Sequence, residues 1–451
     1  MRKSNILLSF GLAATVMFAS CSKNSEPDPV PTPTGGTDIR GVISANKTLT
    51  KDKVWTLRGF VYVTGNATLT IEPGTKIISK RDSAGVLVIT KGAKIDARGT
   101  AAAPIVFTSG ESSPIPGDLG GVVVAGNATA NGNHAQMEGV TDANYNKFGG
   151  TNDADNSGFL QYIRIEYAGK SVNPNDEVNG LSMYGVGSGT TVDHIQVTRG
   201  LDDAFEFFGG SFNAKYLVAY NCADDDFDFD DGYHGNLQYL ISIKDPAFTD
   251  SKTGGDLSNN LEWDNSNGKI PYNVTPNTHA RISNATLIGP NNTTSSVIGN
   301  YGYGARFRRG AQFEIVNSVF LGSKLASFSI ESTETATSFI TGTSIFNNNI
   351  IQSVATSPFN VGADVTNGLT AAQMQTLSLN LVVLANATDA KLTDPFNVAT
   401  PKVTPATDSP LLTGAAFNGN FTVANGFDTS VTFKGAIGAT DWTAGWTVWN
   451  K

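Results

Sequence analysis

Residues 205–242 read FEFFGGSFNAKYLVAYNCADDDFDFDDGYHGNLQYLIS, and this stretch decides the fold. Two kinds of short segment alternate within it. In the first kind an apolar residue occupies every second position, as in Phe205-Glu-Phe207 and Phe227-Asp-Phe229. In the second kind a tyrosine opens a mainly apolar run, as in Tyr216–Ala219 and Tyr239–Ser242. A period of two is typical of β-strands, so each repeat predicts two short strands.

The same two segments recur on both sides of this stretch. The alternating segments are Leu181-Ser-Met183, Phe205-Glu-Phe207, Phe227-Asp-Phe229, Leu261-Glu-Trp263, Ala305-Arg-Phe307 and Phe328-Ser-Ile330. The segments of the second kind are Tyr162–Ile165, His194–Val197, Tyr216–Ala219, Tyr239–Ser242, Asn284–Leu287 and Asn317–Phe320. Neighbouring copies without long insertions lie 22 to 24 residues apart. A fixed step of this size indicates one supersecondary unit stacked on the next.

Stacked units of two or three short strands, without intervening helices, predict an all-β protein with a parallel β-helix, a solenoid. The alternation places Phe205, Phe207, Phe227 and Phe229 inside the solenoid as stacked layers. A sandwich or barrel is disfavoured because its hairpins use two-residue Asn-Gly or Asp-Gly turns, which do not occur here at regular spacing.

The extent of the repeat predicts the domain boundaries. The β-helix body is expected over residues 38–354, and the only modest helical pattern covers residues 369–379. The repeat decays after this body, so residues 355–451 are expected to form irregular last coils and a C-terminal cap. A cap is needed because the ends of a solenoid expose unpaired strand edges and core. The tryptophans of the expected cap are Trp442, Trp446 and Trp449.

The N-terminus carries a targeting signal. Two basic residues precede an apolar run over residues 6–18, and Ala19-Ser20-Cys21 follows. This order is typical of a secretory signal peptide, here residues 1–20, and the apolar run is too short to span a bilayer. Cys21 stands where a bacterial lipobox places the cysteine that becomes acylated, although Phe18 replaces the usual leucine. We therefore expect an exported lipoprotein held in the outer membrane through Cys21, with plain secretion as the alternative.

Residues 21–37 are expected to form a tether between the acylated cysteine and the body. They are polar and rich in proline and glycine, a composition that cannot bury a core. Glu26 and Asp28 resemble the acidic tags that direct lipoproteins of Bacteroidota to the cell surface. This resemblance implies a protein that faces the cell exterior.

Charge and cysteine content exclude several classes of function. The formal net charge of −9 argues against a nucleic-acid partner, which needs basic stripes, and it permits divalent cations. Cys222 is the only cysteine after Cys21, so the exported body has no internal disulfide and depends on its core. We expect Cys222 to be a small buried apolar residue. His134, His194 and His279 are scattered and are expected to be ordinary corner or surface residues.

The outward positions of the alternating segments carry an unusual row of charges. Aligning the segments gives Ser182, Glu206, Asp228, Glu262 and Arg306 equivalent positions. Two residues further along the strands are Phe208, Asp230, Asp264 and Arg308. The preceding corners add Asp202, Asp203, Asp224 and Asp225. If the coils stack in register, neighbouring side chains lie about 4.8 Å apart, the spacing between strands. We call the acidic members of this set the acidic ladder.

Like charges stacked this closely repel, so the acidic ladder requires protonation, the two arginines or a bound cation. An oxygen-rich cluster without thiols or paired histidines suits Ca²⁺ far better than zinc. The predicted ligands for Ca²⁺ are Asp202, Asp203, Asp224, Asp225, Glu206, Asp228, Asp230, Glu262 and Asp264. An EF-hand is excluded, because Gly232 falls one position late and Leu237 stands where the bidentate glutamate belongs.

The same row of charges also permits catalysis. Two stacked carboxylates can act as acid and base in glycoside hydrolysis. Alternatively, Ca²⁺ can bind an acidic sugar while an arginine helps to abstract a proton. The candidate catalytic residues are Glu206, Asp228, Glu262, Arg306 and Arg308. The competing hypothesis is a structural ladder that Ca²⁺ and arginine neutralise and that holds the coils in register.

Several further stretches occur together along the chain. They are Leu69–Thr75, Ala103–Ser109, Gly120–Asn127, Asp155–Gly158, Tyr162–Tyr167, Asn179–Leu181, Gly185–Thr190, Asp202–Gly210, Phe433–Asp441 and Gly445–Thr447. The set resembles a family of exported proteins and lipoproteins, common in Bacteroidota, with a pectin-lyase-like right-handed β-helix. The resemblance implies the fold over nearly the whole exported chain. It implies no activity, because this family has no established reaction and the fold hosts lyases, hydrolases and non-catalytic surface proteins.

Three functional hypotheses follow. The first is a cell-surface lipoprotein that binds an extracellular ligand, a polysaccharide, with Ca²⁺ on its acidic ladder. The second is a polysaccharide lyase or glycoside hydrolase that acts on acidic glycans along the same face. The third is a structural accessory of an outer-membrane uptake complex, attached through Cys21 and in contact with a transporter. The sequence alone leaves open whether the protein is an enzyme.

Overall fold

The computed structural model describes residues 36–173, 176–249 and 257–449. In these residues 26 strands join one parallel sheet that winds into a right-handed parallel β-helix. The predicted fold class is therefore confirmed. The signal peptide, Cys21 and nearly all of the expected tether lie outside the described residues.

The strands of the solenoid are short. In the N-terminal third they are Gly36–Ile43, Lys47–Leu49, Val54–Val63, Thr68–Ile71, Lys76–Ser79, Val86–Ile89, Lys94–Arg98, Ile105–Ser109 and Gly121–Ala125. In the middle third they are Gly158–Glu166, Leu181–Val186, Thr191–Thr198, Phe205–Gly210, Ala214–Tyr220, Phe227–Asp230, Asn236–Ile243, Leu261–Trp263 and His279–Ile288. The remaining ones are Tyr303–Phe307, Gln312–Val316, Val319–Ser323, Ala326–Ile330, Ile345–Asn347, Ile350–Ser353, Phe359–Val361 and Val382–Val383.

Several shorter elements lie outside the main sheet of the solenoid. Two helices, α1 (Thr333–Ile340) and α2 (Ala371–Leu377), lie near its C-terminal end, and α2 falls within the predicted helical stretch. Two antiparallel pairs join Lys170–Asn173 to Asp176–Val178 and Leu392–Asp394 to Lys402–Pro405. Short 3₁₀ helices cover Ile298–Asn300, Ala387–Ala390, Pro410–Leu412 and Val423–Asn425. No helix in the described ranges is both long and apolar enough to cross a membrane.

Each full coil contributes one segment to each of three faces, which we call sheets A, B and C in the order in which the chain visits them. Sheet A stacks residues 41–43, 61–63, 86–89, 121–125, 181–186, 205–210, 227–230, 261–263, 303–307, 326–330 and 359–361. Sheet B stacks residues 47–49, 68–71, 94–98, 158–161, 191–193, 214–215, 236–238, 279–283, 312–316 and 345–347. Sheet C stacks residues 36–39, 54–57, 76–79, 105–109, 163–166, 195–198, 217–220, 240–243, 285–288, 319–323, 350–353 and 382–383.

The interior of the solenoid is a continuous apolar column. The rings of Phe205 and Phe227 stack with their centroids 5.0 Å apart, and those of Trp263 and Phe307 stack at the same distance one coil further on. All four side chains are fully buried. Stacked aromatic pairs add to the gain from burying apolar surface. The inward positions predicted from the alternation are therefore confirmed.

The junction between sheets B and C is a single residue in the left-handed conformation. In seven successive coils its φ lies between 50° and 65°. These junction residues are Tyr162, His194, Tyr216, Tyr239, Asn284, Asn317 and Asn348. Asparagine adopts this conformation more readily than most residues, whereas tyrosine needs compensation from its surroundings. The aromatic members receive it by stacking, because the rings of Tyr162, His194, Tyr216 and Tyr239 follow one another at 4.2 to 4.9 Å.

The C-terminal tryptophans pack on the side of the solenoid rather than at one of its ends. Trp446 packs edge-on against Tyr162 and His194 on the side of the solenoid, with centroids 5.8 Å and 5.6 Å apart. Residues 384–449 form a segment that covers apolar residues on the outer face of sheet C, including Val218 and Val319. The physical reason is that this face is apolar and needs cover along its length, not only at its end.

The solenoid continues beyond residue 354, the predicted end of its body. Segments 359–361 and 382–383 still pair in register with the coil before them. Met374 in α2 and Leu369 just before it are buried in the same core as the coils. A short amphipathic helix thus closes the C-terminal end of the core.

We expect Trp446→Ala to lower the free energy of unfolding by about 3–5 kcal/mol, the cost of removing a large buried aromatic side chain. Trp446 is 1% exposed, and its indole Nε1 donates to the carbonyl oxygen of Trp442 at 2.9 Å. Denaturant unfolding of purified protein measures the change. Val423→Ala is the matched control on the same segment, since Val423 is 72% exposed and its truncation should cost within about 0.5 kcal/mol. Equal effects of the two variants would contradict the packing of the C-terminal segment against the solenoid.

Candidate functional site

The pairing of sheet A confirms the predicted alignment of the charged row. Ser182 lies beside Glu206, Glu206 beside Asp228, Asp228 beside Glu262, and Glu262 beside Arg306. Phe208 lies beside Asp230 in the neighbouring column. The inward residues between them are the stacked phenylalanines, so burial of the rings fixes which residues point outward.

Arginines neutralise one end of the acidic ladder. Arg306 lies 3.3 Å from the Glu262 carboxylate and 3.0 Å from that of Glu331, a residue that the alignment missed. Arg308 pairs with Asp264 at 2.7 Å and also contacts Glu262. Arg309 reaches the same Asp264 carboxylate at 2.7 Å. Three guanidinium groups therefore meet three carboxylates in a largely buried cluster, and charge there is balanced.

A loop neutralises another side of the acidic ladder. The insertion between two coils, residues 127–157, brings His134 Nδ1 within 2.8 Å of Asp231 Oδ1. Asn133 Nδ2 donates to both Asp231 and Asp230, at 2.8 Å and 3.2 Å. Burial alone would lower the pKa of His134, but the hydrogen bond and charge of Asp231 outweigh it and raise the pKa from 6.5 to about 9. His134 is therefore an imidazolium at neutral pH, not an ordinary surface histidine as predicted from the sequence.

The corner before each strand forms a column of its own. The backbone amide of Asp225 donates to Asp203 Oδ1 at 2.8 Å, and that of Asn259 donates to the Asp225 carboxylate. Asn259 Nδ2 then donates to Glu262 Oε2 at 2.8 Å. In the coil before them, Asn179 donates in the same way to Glu206. Backbone and amide donors thus hold the carboxylates in place, and the sequence analysis missed both asparagines.

Carboxylates converge in the middle of the acidic ladder, where only Glu262 is paired with arginines. Ligand oxygens of Asp203, Glu206 and Asp228 lie within 4.8 Å of one another, and so do those of Asp225, Asp228 and Glu262. Asp228 belongs to both triads. Its Oδ1 atom is buried and accepts no hydrogen bond from any described residue. We call these five residues the Asp228 cluster.

Electrostatics make the Asp228 cluster unfavourable when it is fully ionised. Burial first, and then the neighbouring carboxylates, raise the pKa of Asp228, Asp225 and Glu206 well above their ordinary values. For Asp228 the neighbour that contributes most is Glu262, and Arg308 compensates only in part. The cluster therefore requires a proton or a cation at neutral pH.

The donor set of the Asp228 cluster fits a hard divalent cation. Ca²⁺ takes six to eight oxygen ligands at about 2.3–2.6 Å, so two of its ligands lie no more than about 5.2 Å apart. Carboxylate oxygens within 4.8 Å of one another satisfy this condition without rearrangement. The five residues of the cluster include no thiol or imidazole, which would favour zinc. The residues of this candidate metal centre therefore fit a hard divalent cation such as Ca²⁺.

The remaining predicted ligands lie elsewhere. Asp230 faces His134, and Asp264 is engaged by arginines. Asp202 and Asp224 approach Asp203 to within 4.8 Å in the corner and form a third acidic group. The structure thus divides the nine predicted ligands among separate groups, because outward side chains on adjacent columns of a strand point to different neighbours.

The acidic ladder is not exposed along an open groove. Glu206 is 8% exposed and Glu262 is 4% exposed, whereas Asp228 is partly exposed. Towards the N-terminus, loop residues Met137 and Val140 cover the outer face of sheet A. A sugar ring has no room between the carboxylates in this arrangement. The candidate catalytic residues Arg306 and Arg308 are likewise committed to ion pairs.

The chain belongs to the family of pectate-lyase-like β-helix domains, whose family model matches residues 41–447. The match covers the solenoid except for its first residues, 36–40, and nearly all of the C-terminal segment. No curated protein and no solved structure matches the chain. Membership therefore establishes the fold and leaves the activity to the chemistry of the site.

We expect the protein to lose stability as the pH rises from about 6.5 to about 9 because of His134. The pKa of this group is raised in the folded state, so its stabilising contribution is complete below the unfolded value and is lost as pH rises through the folded value. Melting temperatures across this pH range measure the loss. His134→Gln should remove this component of the slope, and Asp231→Asn should do the same. A slope in both variants as steep as that of the parent protein would contradict the assigned ion pair.

Proposed function

We propose that this protein is an exported β-helix lipoprotein of the cell surface, that its Asp228 cluster binds Ca²⁺, and that it binds an extracellular polysaccharide. The observation that carries the proposal is the Asp228 cluster itself. Two carboxylate triads share Asp228, and one oxygen of Asp228 is buried without a hydrogen bond. A buried acceptor without a partner is costly, and a bound cation removes that cost.

The role that we propose for Ca²⁺ is structural. Each triad draws its carboxylates from two adjacent coils, so an ion held by either triad would join those two coils across their stacking interface. The buried positions of Glu206 and Glu262 support a structural ion rather than a catalytic one. For this reason we prefer a binding protein to a polysaccharide lyase or glycoside hydrolase. A role as an accessory of an outer-membrane uptake complex is compatible with the same proposal.

We expect chelation to lower the melting temperature and Ca²⁺ to restore it. Free Ca²⁺ at 100 times its Kd should stabilise the fold by about 2.7 kcal/mol. In chelator the raised carboxyl pKa values mean that the folded state binds more protons than the unfolded state, so stability should fall as pH rises above about 4.5. Ca²⁺ should abolish that fall. Differential scanning calorimetry between pH 4.5 and 6.5, with and without Ca²⁺, measures both effects.

Asp228→Asn tests whether the Asp228 cluster is a cation site or only an acidic surface. The amide removes one charge from the cluster, so the variant should be more stable than the parent in chelator and should respond less to Ca²⁺. Asp408→Asn is the matched control, because the Asp408 side chain is 70% exposed and pairs only with Lys391 at 2.6 Å. An unchanged Ca²⁺ response in Asp228→Asn, or no response in the parent protein, would refute the Ca²⁺ site.

The proposed lipid anchor has an independent test. Cys21→Ser removes the thiol that is acylated, and we expect the variant to move from the membrane fraction to the soluble fraction of its bacterial host. Cys222→Ser is the control, since Cys222 is fully buried in the core and has no role in anchoring. Fractionation with immunoblotting measures the distribution. Unchanged membrane association of Cys21→Ser would refute the lipoprotein assignment.

A further inference from the structure

The three faces of the solenoid differ in how much of them is open to solvent. Outer residues of sheet A from Tyr62 to Glu262 are mostly buried, and the later coils of sheet C lie under the C-terminal segment. The outer residues of sheet B are mostly half-buried or exposed. In the middle coils, sheet B is therefore the face that a large ligand can approach most easily.

A groove of about 220 Å³ lies on this open face. The floor of the groove is formed by strands of three successive coils, and Gly426 and Phe427 of the C-terminal segment form its wall. The polar residues that line it are Thr190, Thr191, Asp193, Asn213, Lys215, Asn236 and Gln238. We call it the sheet B groove.

The polar groups of the sheet B groove repeat along the axis of the solenoid. In one column of sheet B, Arg98, Gln161, Asp193, Lys215 and Gln238 are in register from coil to coil. Parallel strands lie about 4.8 Å apart, so the first four of these residues present a hydrogen-bonding side chain at every such step. Gln238 is 1% exposed, and its amide is hydrogen-bonded to Asn284 and Asp428. A ligand that satisfies the column must itself be extended and must repeat its hydroxyl groups at short intervals.

Carboxylates outnumber ammonium groups at the groove. Asp193 and Lys215 are adjacent rungs, and Asp428 of the C-terminal segment lies near the same lysine. Such a surface does not attract a polyanion, in contrast to the arginine-rich end of the acidic ladder. The Lys215 ammonium and the Thr191 hydroxyl make no hydrogen bond to any described residue, so both are available to a ligand. Ammonium, amide, hydroxyl and carboxylate groups together match the donors and acceptors of a sugar.

We propose that an extended neutral polysaccharide binds in the sheet B groove, parallel to the axis of the solenoid. The inference rests on the polysaccharide binding proposed above and assigns it to a face away from the acidic ladder. Asp193 accepts from sugar hydroxyls, and Lys215 and the Asn213 amide nitrogen donate to them. The Asp228 cluster then acts at a distance, by holding together the coils that carry the rungs.

The test uses the exported chain with Ca²⁺ present and a panel of soluble glycans. Xylan, β-glucan and galactomannan represent neutral chains, and polygalacturonate represents acidic ones. Lys215→Ala removes a charged donor from the floor, and Thr191→Trp fills the groove. Lys76→Ala is the matched control, because Lys76 is an exposed lysine on sheet C. Unchanged melting temperatures confirm that each variant is folded.

We expect at least one neutral glycan to bind and both groove variants to weaken that binding by about tenfold or more, the effect of losing a hydrogen bond to a charged group. Lys76→Ala should bind like the parent protein. Isothermal titration calorimetry measures the affinities. Binding that both groove variants leave intact, or binding of polygalacturonate alone, would overturn the assignment to the sheet B groove while polysaccharide binding stands. Failure of the parent protein to bind any glycan would overturn both proposals.

Discussion

The structure depends on one constraint, the in-register stacking of parallel strands about 4.8 Å apart. Stacking places equivalent residues of successive coils side by side, so whatever one coil presents is multiplied along the axis. Inward phenylalanines become an aromatic column, and outward carboxylates become the acidic ladder. The same rule turns the tyrosines and asparagines of the B–C junction into a ladder of left-handed residues. Favourable and unfavourable contacts are both repeated, and every repeated cost needs a repeated solution.

Most of the fold follows from the sequence because period and spacing are local signals. Alternation in Phe227-Asp-Phe229 determines which side chains face inward, and the 22-residue step to the previous coil determines which residues stack. The position of the C-terminal segment did not follow, because its packing on Val218 and Val319 arises from apolar surface that belongs to distant coils. A tryptophan cluster in a sequence shows that something must be buried, but not against which face.

The sequence also predicts part of the candidate functional site. The row from Ser182 to Arg306 was visible because its members share one position in the repeat. His134 was not visible, since it comes from an insertion with no counterpart in other coils and finds Asp231 only through the folded loop. Nor did the sequence show that the nine acidic residues separate into balanced and unbalanced groups. That division depends on burial and on which arginines and histidines reach each carboxylate, and both are properties of the assembled surface.

The negative charge of the Asp228 cluster can be compensated by a proton or by a cation. Two unit charges 4.8 Å apart repel by about 3.5 kcal/mol at an effective dielectric constant of 20. Retaining one proton at neutral pH on a group with an ordinary carboxyl pKa costs about 4 kcal/mol, so repulsion from a single neighbour nearly suffices to hold it. One proton neutralises only one of the five carboxylates, however, and Arg306 and Arg308 already serve Glu262. The divalent ion that we propose would neutralise two charges at once and coordinate the unpartnered oxygen of Asp228, which a proton on another residue does not reach. Since the oxygens within each triad already lie at distances that Ca²⁺ spans, this ion would need little rearrangement of the coils.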